Sequence, residues 1–198
     1  MSQYFSNDNS VKNKNLVVNF KFFDKEISLE SNYGVFSKDR LDQGSNIFIK
    51  YLLTLNVDGK VLDYGAGIGV IGITLNLFFP KLDVTYCDVN FRCLDLNKQN
   101  LKKYKLKGNV ISDNELDSIN DNNFDFIFLN SPIRSGKENI YNMYRKVQRL
   151  LKLDGEFYIV IRKDKGMLSH KAFLETIFKE VTIVYKEKGY FILKMVNK

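Results

Sequence analysis

The sequence VLDYGAGIGVIG, at residues 61–72, decides the fold of this chain. It begins with an apolar run that is typical of a buried strand and leads directly into Gly65, Gly67 and Gly69. Glycine permits positive φ angles and lets the backbone approach a ligand closely. The apolar residues that follow predict a helix, whose first turn presents free N–H groups. The stretch therefore predicts a strand, a ligand-binding turn and a helix.

Strand-like and helix-like segments alternate through the rest of the chain from residue 60. This alternation indicates a parallel sheet that is covered by helices on both faces. The predicted strands are residues 60–65, 84–89, 109–113, 124–130 and 155–162, and the predicted helices are residues 69–79, 91–106, 137–151 and 167–179.

The last segment, VTIVYKEKGYFILKMV at residues 181–196, breaks the alternation. Its two strand-like runs are separated only by residues 187–189, and a parallel crossover needs a dozen or more residues. The link must be a hairpin, so the last strand runs antiparallel to the others. A parallel sheet with one reversed C-terminal strand resembles the class I methyltransferase sheet more than an NAD-binding Rossmann domain.

The N-terminal part has a different pattern. Residues 1–15 are expected to form a loosely attached tail. Residues 16–23 and 26–31, joined by Asp24 and Lys25, predict a β-hairpin. A loop and an amphipathic helix at about residues 46–55 follow. We therefore expect one α/β domain over residues 16–198, with a hairpin at 16–33 and a cofactor-binding core at 60–198.

Composition narrows the class of protein. The 198 residues suit one domain, and no apolar run approaches the roughly 20 residues of a membrane span. The N-terminus lacks the apolar core of a signal peptide, so a cytoplasmic protein is expected. Cys87, Cys93 and His170 have no metal-ligand companions in the sequence, which predicts no metal site and no histidine triad. We interpret them as two buried thiols and a surface histidine.

The net charge of +7 favours an anionic partner such as nucleic acid. Lysine far outnumbers arginine, and Asn and Ile are abundant as well. Because this mixture also fits an AT-rich genome, the charge supports nucleic acid only modestly.

Two cofactors compete for the glycine loop. Residues 67–72 match the dinucleotide pattern G-x-G-x-x-G, with Asp88 near the right distance for a ribose. Asp63 argues for a different ligand, because a carboxylate next to a pyrophosphate would meet like charge. S-adenosylmethionine carries an ammonium and a sulfonium and has no phosphate, so a ligand-facing Asp63 favours it.

Three acidic residues, Asp63, Asp88 and Asp113, follow or end successive predicted strands. Ligands of open α/β sheets bind beyond the carboxyl ends of the strands. We expect Asp88 to accept hydrogen bonds from both ribose hydroxyls and Asp113 to accept one from the adenine amino group. The alternatives are that Asp88 is the N-cap of the next helix and that Asp113 is a turn residue.

Asn130 ends the predicted strand at 124–130 and is followed by Ser131 and Pro132. An exocyclic amino group on a base is a weak nucleophile, because its lone pair is delocalised into the ring. The Asn130 side-chain carbonyl and the Ser131 backbone carbonyl are expected to accept its two protons and aim the lone pair at the methyl group, which is catalysis largely by positioning. Pro132 fixes the turn. The alternative is that Asn-Ser-Pro is only a turn.

These blocks resemble the bacterial small-domain methyltransferases, whose characterised members methylate the guanine exocyclic amino group in ribosomal RNA. The resemblance covers about residues 11–195. It rests on Gly34-Val35-Phe36-Ser37-Lys38, on Asp42-x-Gly44-Ser45, on Asp63-x-Gly65-x-Gly67-x-Gly69, on Asn130-x-Pro132-Ile133-Arg134-x-Gly136-Lys137 and on Lys188-Gly189-Tyr190. It implies a Rossmann-like class I fold with a seven-stranded, mostly parallel sheet, S-adenosylmethionine as cofactor, and ribosomal RNA or a ribosomal subunit as partner. Nothing in the sequence fixes the oligomeric state, so a monomer is the default expectation.

The expected site residues fall into three groups. The catalytic residues are Asn130, Ser131 and Pro132. The cofactor-binding residues are Asp63, Tyr64, Gly65, Ala66, Gly67, Gly69, Asp88, Val89, Asp113 and Asn130. The substrate-binding residues are Phe36, Lys38, Ile133, Arg134 and Lys137, with Arg162, Lys163 and Lys165 as further basic side chains near the strand ends.

Two positions depart from the usual family pattern of Asn-Pro-Pro followed by an aromatic residue. Ser131 replaces the first proline, which keeps the backbone carbonyl but makes the loop less rigid. Ile133 stands where many relatives have an aromatic residue that stacks on a flipped base. The alternatives left open are methylation of an adenine amino group or a protein glutamine, an NAD-dependent oxidoreductase, and a non-catalytic RNA-binding relative.

Overall fold

A mixed sheet organises the chain in the computed structural model, which describes residues 15–33, 35, 40–130 and 136–198. The strands are β1 (Asn15–Phe22), β2 (Lys25–Asn32), β3 (Lys60–Tyr64), β4 (Asp83–Asp88), β5 (Asn109–Ser112), β6 (Phe124–Leu129), β7 (Leu151–Arg162), β8 (Glu180–Glu187) and β9 (Tyr190–Val196). The α-helices are α1 (Gln43–Leu52), α2 (Val70–Phe78), α3 (Phe91–Lys103), α4 (Asp113–Leu116), α5 (Lys137–Leu150) and α6 (Met167–Ile177), and a short 3₁₀ turn covers Lys163–Lys165.

The main sheet has seven strands in the order β5-β4-β3-β6-β7-β9-β8. β3 lies parallel between β4 and β6, and β5 and β7 extend the parallel arrangement on either side. β9 runs antiparallel to both of its neighbours, β7 and β8. The predicted reversed last strand is thus confirmed, and so is the seven-stranded, mostly parallel sheet.

Two hydrophobic cores cover the two faces of this sheet, and side-chain alternation along β3 assigns its residues to them. Val61 packs in the core formed with α1, α2, α3 and the N-terminal hairpin. Leu62 and Tyr64 pack in the core formed with α5 and α6. The side chain of Asp63 therefore points towards the α2 face, into apolar surroundings.

The N-terminal hairpin of β1 and β2 is confirmed, with Phe23 and Asp24 rather than Asp24 and Lys25 in its turn. It is bound to α3 through the buried side chain of Asn100. The Nδ2 of Asn100 donates to Glu30 O at 3.1 Å and to Ile68 O at 3.0 Å, and its Oδ1 accepts from Glu30 N at 2.7 Å. One side chain thus connects the hairpin, α3 and the glycine loop.

Several predicted boundaries were wrong, each for a local reason. α1 begins at Gln43 rather than near residue 46, because Asp42 caps it by accepting from Ser45 N at 3.0 Å. The short helix α4 was not predicted, although Ser112 and Glu115 form a capping box there.

His170 is buried rather than on the surface, since α6 turns it towards α5, where it hydrogen-bonds the Tyr144 hydroxyl at 2.9 Å. Cys87 and Cys93 are buried free thiols, as expected. No helix within the described ranges is long and apolar enough to cross a membrane.

Candidate active site

The candidate site lies at the edge of the sheet where the parallel strands β3, β4, β5 and β6 end. In register, Tyr64 is next to Cys87 on one side and to Leu129 on the other, and Asp88 is next to Ser112. The residues that follow these positions therefore emerge side by side. This arrangement brings the glycine loop, Asp88, Asp113 and Asn130 to one edge, where open α/β sheets bind ligands.

The glycine loop has the backbone geometry that the sequence predicts. Gly65, Gly67 and Gly69 have φ angles of +74°, +56° and +89°, a region that favours glycine. Gly65 N and Ala66 N donate to Cys87 O at 2.8 and 2.9 Å, which fixes the loop against β4. A Cβ on Gly69 would lie 2.6 Å from Ile73 Cδ1, whereas a Cβ on Gly67 would meet nothing within 4 Å. Gly67 thus faces open space, and Gly69 is needed for packing.

Asp63 differs from the expectation that its carboxylate faces the ligand. It is fully buried beneath the loop, and its Oδ2 accepts from Gly72 N at 2.8 Å. Its Oδ1 has no hydrogen-bond partner in the part of the chain that the structure describes. Burial, with a smaller contribution from Asp88 and despite the Gly72 N–H, raises the pKa of Asp63 to about 7. In this conformation the Asp63 side chain lies in the apolar core beneath the loop rather than on the ligand side. It therefore supports the loop from below.

Asp88 supports the same loop from the side. Its Oδ2 accepts from Gly67 N at 2.8 Å, and its Oδ1 accepts from Asn90 N at 2.9 Å. The N-cap of α3 is Asn90, which accepts from Arg92 N. The alternative that Asp88 caps this helix was therefore wrong. A carboxylate oxygen has a second lone pair, so acceptance from a ribose hydroxyl is compatible with these bonds.

Asp113 is the first residue of α4 rather than the last of a strand. Its Oδ1 accepts from the Tyr64 hydroxyl at 2.5 Å, and its Oδ2 accepts from Lys146 Nζ at 2.9 Å. Lys146 also pairs with Asp117. Tyr64 was predicted to bind the cofactor, but its side chain is buried. Its backbone, rather than its hydroxyl, is therefore left near the ligand side.

Asn130 follows the last residue of β6 and is partly buried. Its Nδ2 donates to the Ser45 hydroxyl at 2.7 Å. The predicted residues Ser131, Pro132, Ile133, Arg134, Phe36 and Lys38 lie outside the described residues. Lys137 is exposed at the first position of α5, with its Nζ 5.5 Å from the centre of the Tyr141 ring.

Two exposed apolar side chains lie next to Asp88. Val89, which was predicted, and Phe91, which was not, are 47% and 56% exposed. They leave apolar surface directly beyond the end of β4, where a flat apolar group can pack. The feature that could have identified Phe91 is an exposed phenylalanine at the first position of an amphipathic helix. Asp42 and Ser45 were noted only as part of a motif, and their contact with Asn130 was missed because it spans 85 positions.

The donor set fits S-adenosylmethionine. The open space over Gly67, the apolar surface at Val89 and Phe91 and the acceptors of Asp88 suit the amino-acid part, the adenine ring and the ribose. Within the described residues, no cluster of His, Cys, Asp and Glu could hold a metal ion.

This fold and this loop define a class I, S-adenosylmethionine-dependent methyltransferase. The model of the family "Methyltransferase small domain" matches residues 26–194, so the chain belongs to that family. The resemblance inferred from the motifs is thereby confirmed, and so is the choice of S-adenosylmethionine over NAD.

Two groups of sequence relatives illustrate the family. The chain is 36% identical over 193 residues to the Bacillus subtilis "Uncharacterized protein YbxB", with 96% of each chain covered. It is 32% identical over 139 residues to the Cronobacter sakazakii "Ribosomal RNA small subunit methyltransferase C". That alignment covers 68% of this chain and 40% of the relative, so the chain matches less than half of the longer enzyme.

Solved structures show the same fold. The T. thermophilus 16S rRNA N2 methyltransferase, solved with AdoMet and guanosine, superposes with a TM-score of 0.81 at 21% identity, over 92% of this chain and 50% of that one. M. jannaschii TYW2, solved with AdoMet, superposes with a TM-score of 0.63 at 18% identity, over 94% of this chain and 87% of that one.

Proposed function

We propose that the protein transfers a methyl group from S-adenosylmethionine to the exocyclic amino group of a guanine in the ribosomal RNA of the small subunit. The observation that carries the proposal is the position of Asn130, at the end of β6 and beside the glycine loop that ends β3. The relative named as a ribosomal RNA small subunit methyltransferase, and the neighbour solved with guanosine, support the substrate class.

The chemistry requires orientation rather than a strong base. Bound S-adenosylmethionine supplies an electrophilic methyl group on a sulfonium. The Asn130 Oδ1 and the Ser131 backbone carbonyl accept the two amino protons and direct the nitrogen lone pair at that carbon. A C–N bond forms as the C–S bond breaks, S-adenosylhomocysteine is left, and the amino group then releases a proton to water. Pro132 keeps the backbone carbonyl in place.

Different residues of the chain bind different parts of the cofactor. The backbone from Tyr64 to Gly69, including Ala66, surrounds the amino-acid part. Asp88 accepts from the ribose, and Val89 packs on the adenine. Asp113 accepts from the adenine amino group with a lone pair that Tyr64 and Lys146 leave unused. Asp63 acts through the loop that it supports.

The RNA side of the site is formed by Phe36, Lys38, Ile133, Arg134 and Lys137. Ile133 packs on the target base, and the basic side chains bind phosphates. A monomer with a single domain over residues 16–198 acting on ribosomal RNA or a ribosomal subunit in the cytoplasm completes the proposal.

The test uses purified protein, labelled S-adenosylmethionine, and ribosomal RNA or small subunits from a strain that lacks the gene. Digestion to nucleosides should place the label in N2-methylguanosine. Asn130→Ala should reduce transfer at least 100-fold, because it removes one of the two acceptors, while leaving the binding of S-adenosylhomocysteine nearly intact. Label in methyladenosine or in protein would contradict the guanine assignment. Unchanged turnover of Asn130→Ala would contradict the mechanism.

A further inference from the structure

A chain of three side chains joins the start of α1 to Asn130. Asn130 Nδ2 lies 2.7 Å from Ser45 Oγ, and Ser45 Oγ lies 2.5 Å from Asp42 Oδ2. The other oxygen of Asp42, Oδ1, accepts from Ser45 N at 3.0 Å. Ser45 is buried, so its hydroxyl interacts with these groups in preference to solvent.

Each hydrogen bond in this chain has only one possible direction when Asp42 is ionised. A carboxylate has no proton to give, so the single proton of the Ser45 hydroxyl must go to Asp42 Oδ2. Ser45 Oγ can then only accept, and the group that Asn130 presents to it must be the NH₂. The oxygen and the nitrogen of a side-chain amide are otherwise hard to distinguish, and here the hydrogen bonds decide the assignment. The Oδ1 of Asn130 therefore points away from Ser45.

We infer that Asp42 and Ser45 are positioning residues that hold the Asn130 amide with its carbonyl oxygen directed towards the substrate amino group. A flipped amide would present NH₂ to an amino group that also needs acceptors, and the two would repel. This inference rests on the proposed function, in which the Asn130 carbonyl accepts a hydrogen bond from the substrate amino group.

The contact is more than the cap of a helix. Capping of α1 requires only Asp42 Oδ1 on Ser45 N, whereas the second oxygen binds the hydroxyl. The start of α1 is also held from outside. A Cβ on Gly44 would lie 3.0 Å from Tyr190 Cε1 and 3.1 Å from Asp42 Oδ1, so Tyr190 packs closely over this turn. The donor and acceptor order thus lies in a closely packed part of the fold.

The first test is Ser45→Ala in the full-length protein. Loss of the hydroxyl frees the Asn130 amide to rotate, so kcat for methyl transfer should fall roughly 10- to 100-fold. The affinity for S-adenosylhomocysteine, the KM for RNA and the melting temperature should change little. Ser45→Thr keeps the hydroxyl and should restore most of kcat. Thr54→Ala removes a hydroxyl beyond the other end of α1, where it donates to Tyr51 O, and should leave kcat unchanged.

A second variant tests the direction of the hydrogen bonds. Asp42→Asn keeps an oxygen for Ser45 N but places an NH₂ at the hydroxyl, so Ser45 can donate to Asn130 and favour the flipped amide. We expect a lower kcat with an intact helix cap. Wild-type kcat in both Ser45→Ala and Asp42→Asn would overturn the inference.

A readout without RNA separates this inference from the proposed function. The side-chain ¹⁵N–¹H₂ signals of Asn130, assigned by their loss in Asn130→Ala, should move in Ser45→Ala and stay in place in Thr54→Ala. Signals that do not move in Ser45→Ala would overturn the inference even if RNA is methylated. Moved signals in a protein that methylates no RNA would support the Asn130 orientation and contradict the proposed function instead.

Discussion

Asp63 lies fully buried beneath the glycine loop, with one carboxylate oxygen on Gly72 N and the other without a partner among the described residues. The sequence placed it correctly at the end of β3, because the strand pattern and the glycines are local signals. Its depth could not be predicted in the same way. The depth of Asp63 depends on how α2 packs against β3. Gly72 on α2 leaves room there for Asp63 and for Tyr86, because a Cβ on Gly72 would lie 2.4 Å from Tyr86 Cε1.

Burial of Asp63 should make stability depend on pH in a specific direction. Its pKa is raised to about 7 in the folded protein, against about 3.9 for an unperturbed aspartate. Between these values the unfolded state has lost the proton and the folded state keeps it, so stability falls as pH rises. Asp63→Asn carries no such proton. From about pH 4 to pH 7 the free energy of unfolding of wild type should therefore fall, relative to the variant, by up to about 1.4 kcal/mol per pH unit.

Urea denaturation of both proteins at several pH values measures this difference. The two curves should run parallel above about pH 7, where the Asp63 carboxyl is ionised in both states. Curves that stay parallel throughout would show that Asp63 is ionised in the folded protein, and the account of its burial would be wrong.

At the scale of the elements, the succession of strands and helices and the reversed β9 could be predicted because hydrophobic pattern and link length are local properties. The contacts between elements could not be predicted. Asn100 looks like any polar helix residue in the sequence, yet it binds β2 and the glycine loop across 70 and 32 positions. The same holds for Asn130, whose partner Ser45 lies on α1, and for Asp113, which α5 reaches through Lys146.

Asn100→Ala should weaken the attachment of the hairpin and of the glycine loop together. It leaves Glu30 N, Glu30 O and Ile68 O without their side-chain partner, which should cost about 2–4 kcal/mol of unfolding free energy. Because Ile68 belongs to the glycine loop, the affinity for S-adenosylhomocysteine should fall as well. Denaturant unfolding and calorimetry measure the two effects.

Gln99→Ala is the matched control for Asn100→Ala, since Gln99 is the exposed neighbour on α3. Its stability should stay within about 0.5 kcal/mol of wild type. Equal stabilities of the two variants would show that the Asn100 hydrogen bonds do not hold the hairpin in place.

At the scale of the whole molecule, the composition gives a net charge of +7 but does not say where on the surface the charged side chains lie. The fold gives their positions. β7 ends at the same edge as β6, so Lys163 and Lys165 lie at the candidate active-site edge, and both are exposed. Lys102 and Lys107 are exposed too, but they lie where α3 leads into the start of β5, at the opposite edge. These two pairs allow an RNA surface to be distinguished from charge in general.

Replacement of Lys163 and Lys165 by Gln should weaken RNA binding and reduce its salt dependence. Each phosphate contact contributes about −0.9 to the slope of log K against log salt for a duplex, and about −0.7 for a single strand. Loss of two contacts should therefore lower the magnitude of the slope by about 1.4 for a single strand and about 1.8 for a duplex. Lys102→Gln with Lys107→Gln removes the same charge and should leave the slope unchanged. Equal effects of the two pairs in a filter-binding titration would show that RNA binds without preference for the active-site edge.

Binding of S-adenosylmethionine at the glycine loop and the strand ends around it can be tested by a thermal-shift titration with S-adenosylhomocysteine, with NAD in parallel. A ligand at 100 times its dissociation constant stabilises the folded state by about 2.7 kcal/mol, which should raise the melting temperature by roughly 5–10 °C for a chain of this size. We expect this rise with S-adenosylhomocysteine and none with NAD. A rise with NAD alone, or no rise with S-adenosylhomocysteine at saturating concentration, would contradict it.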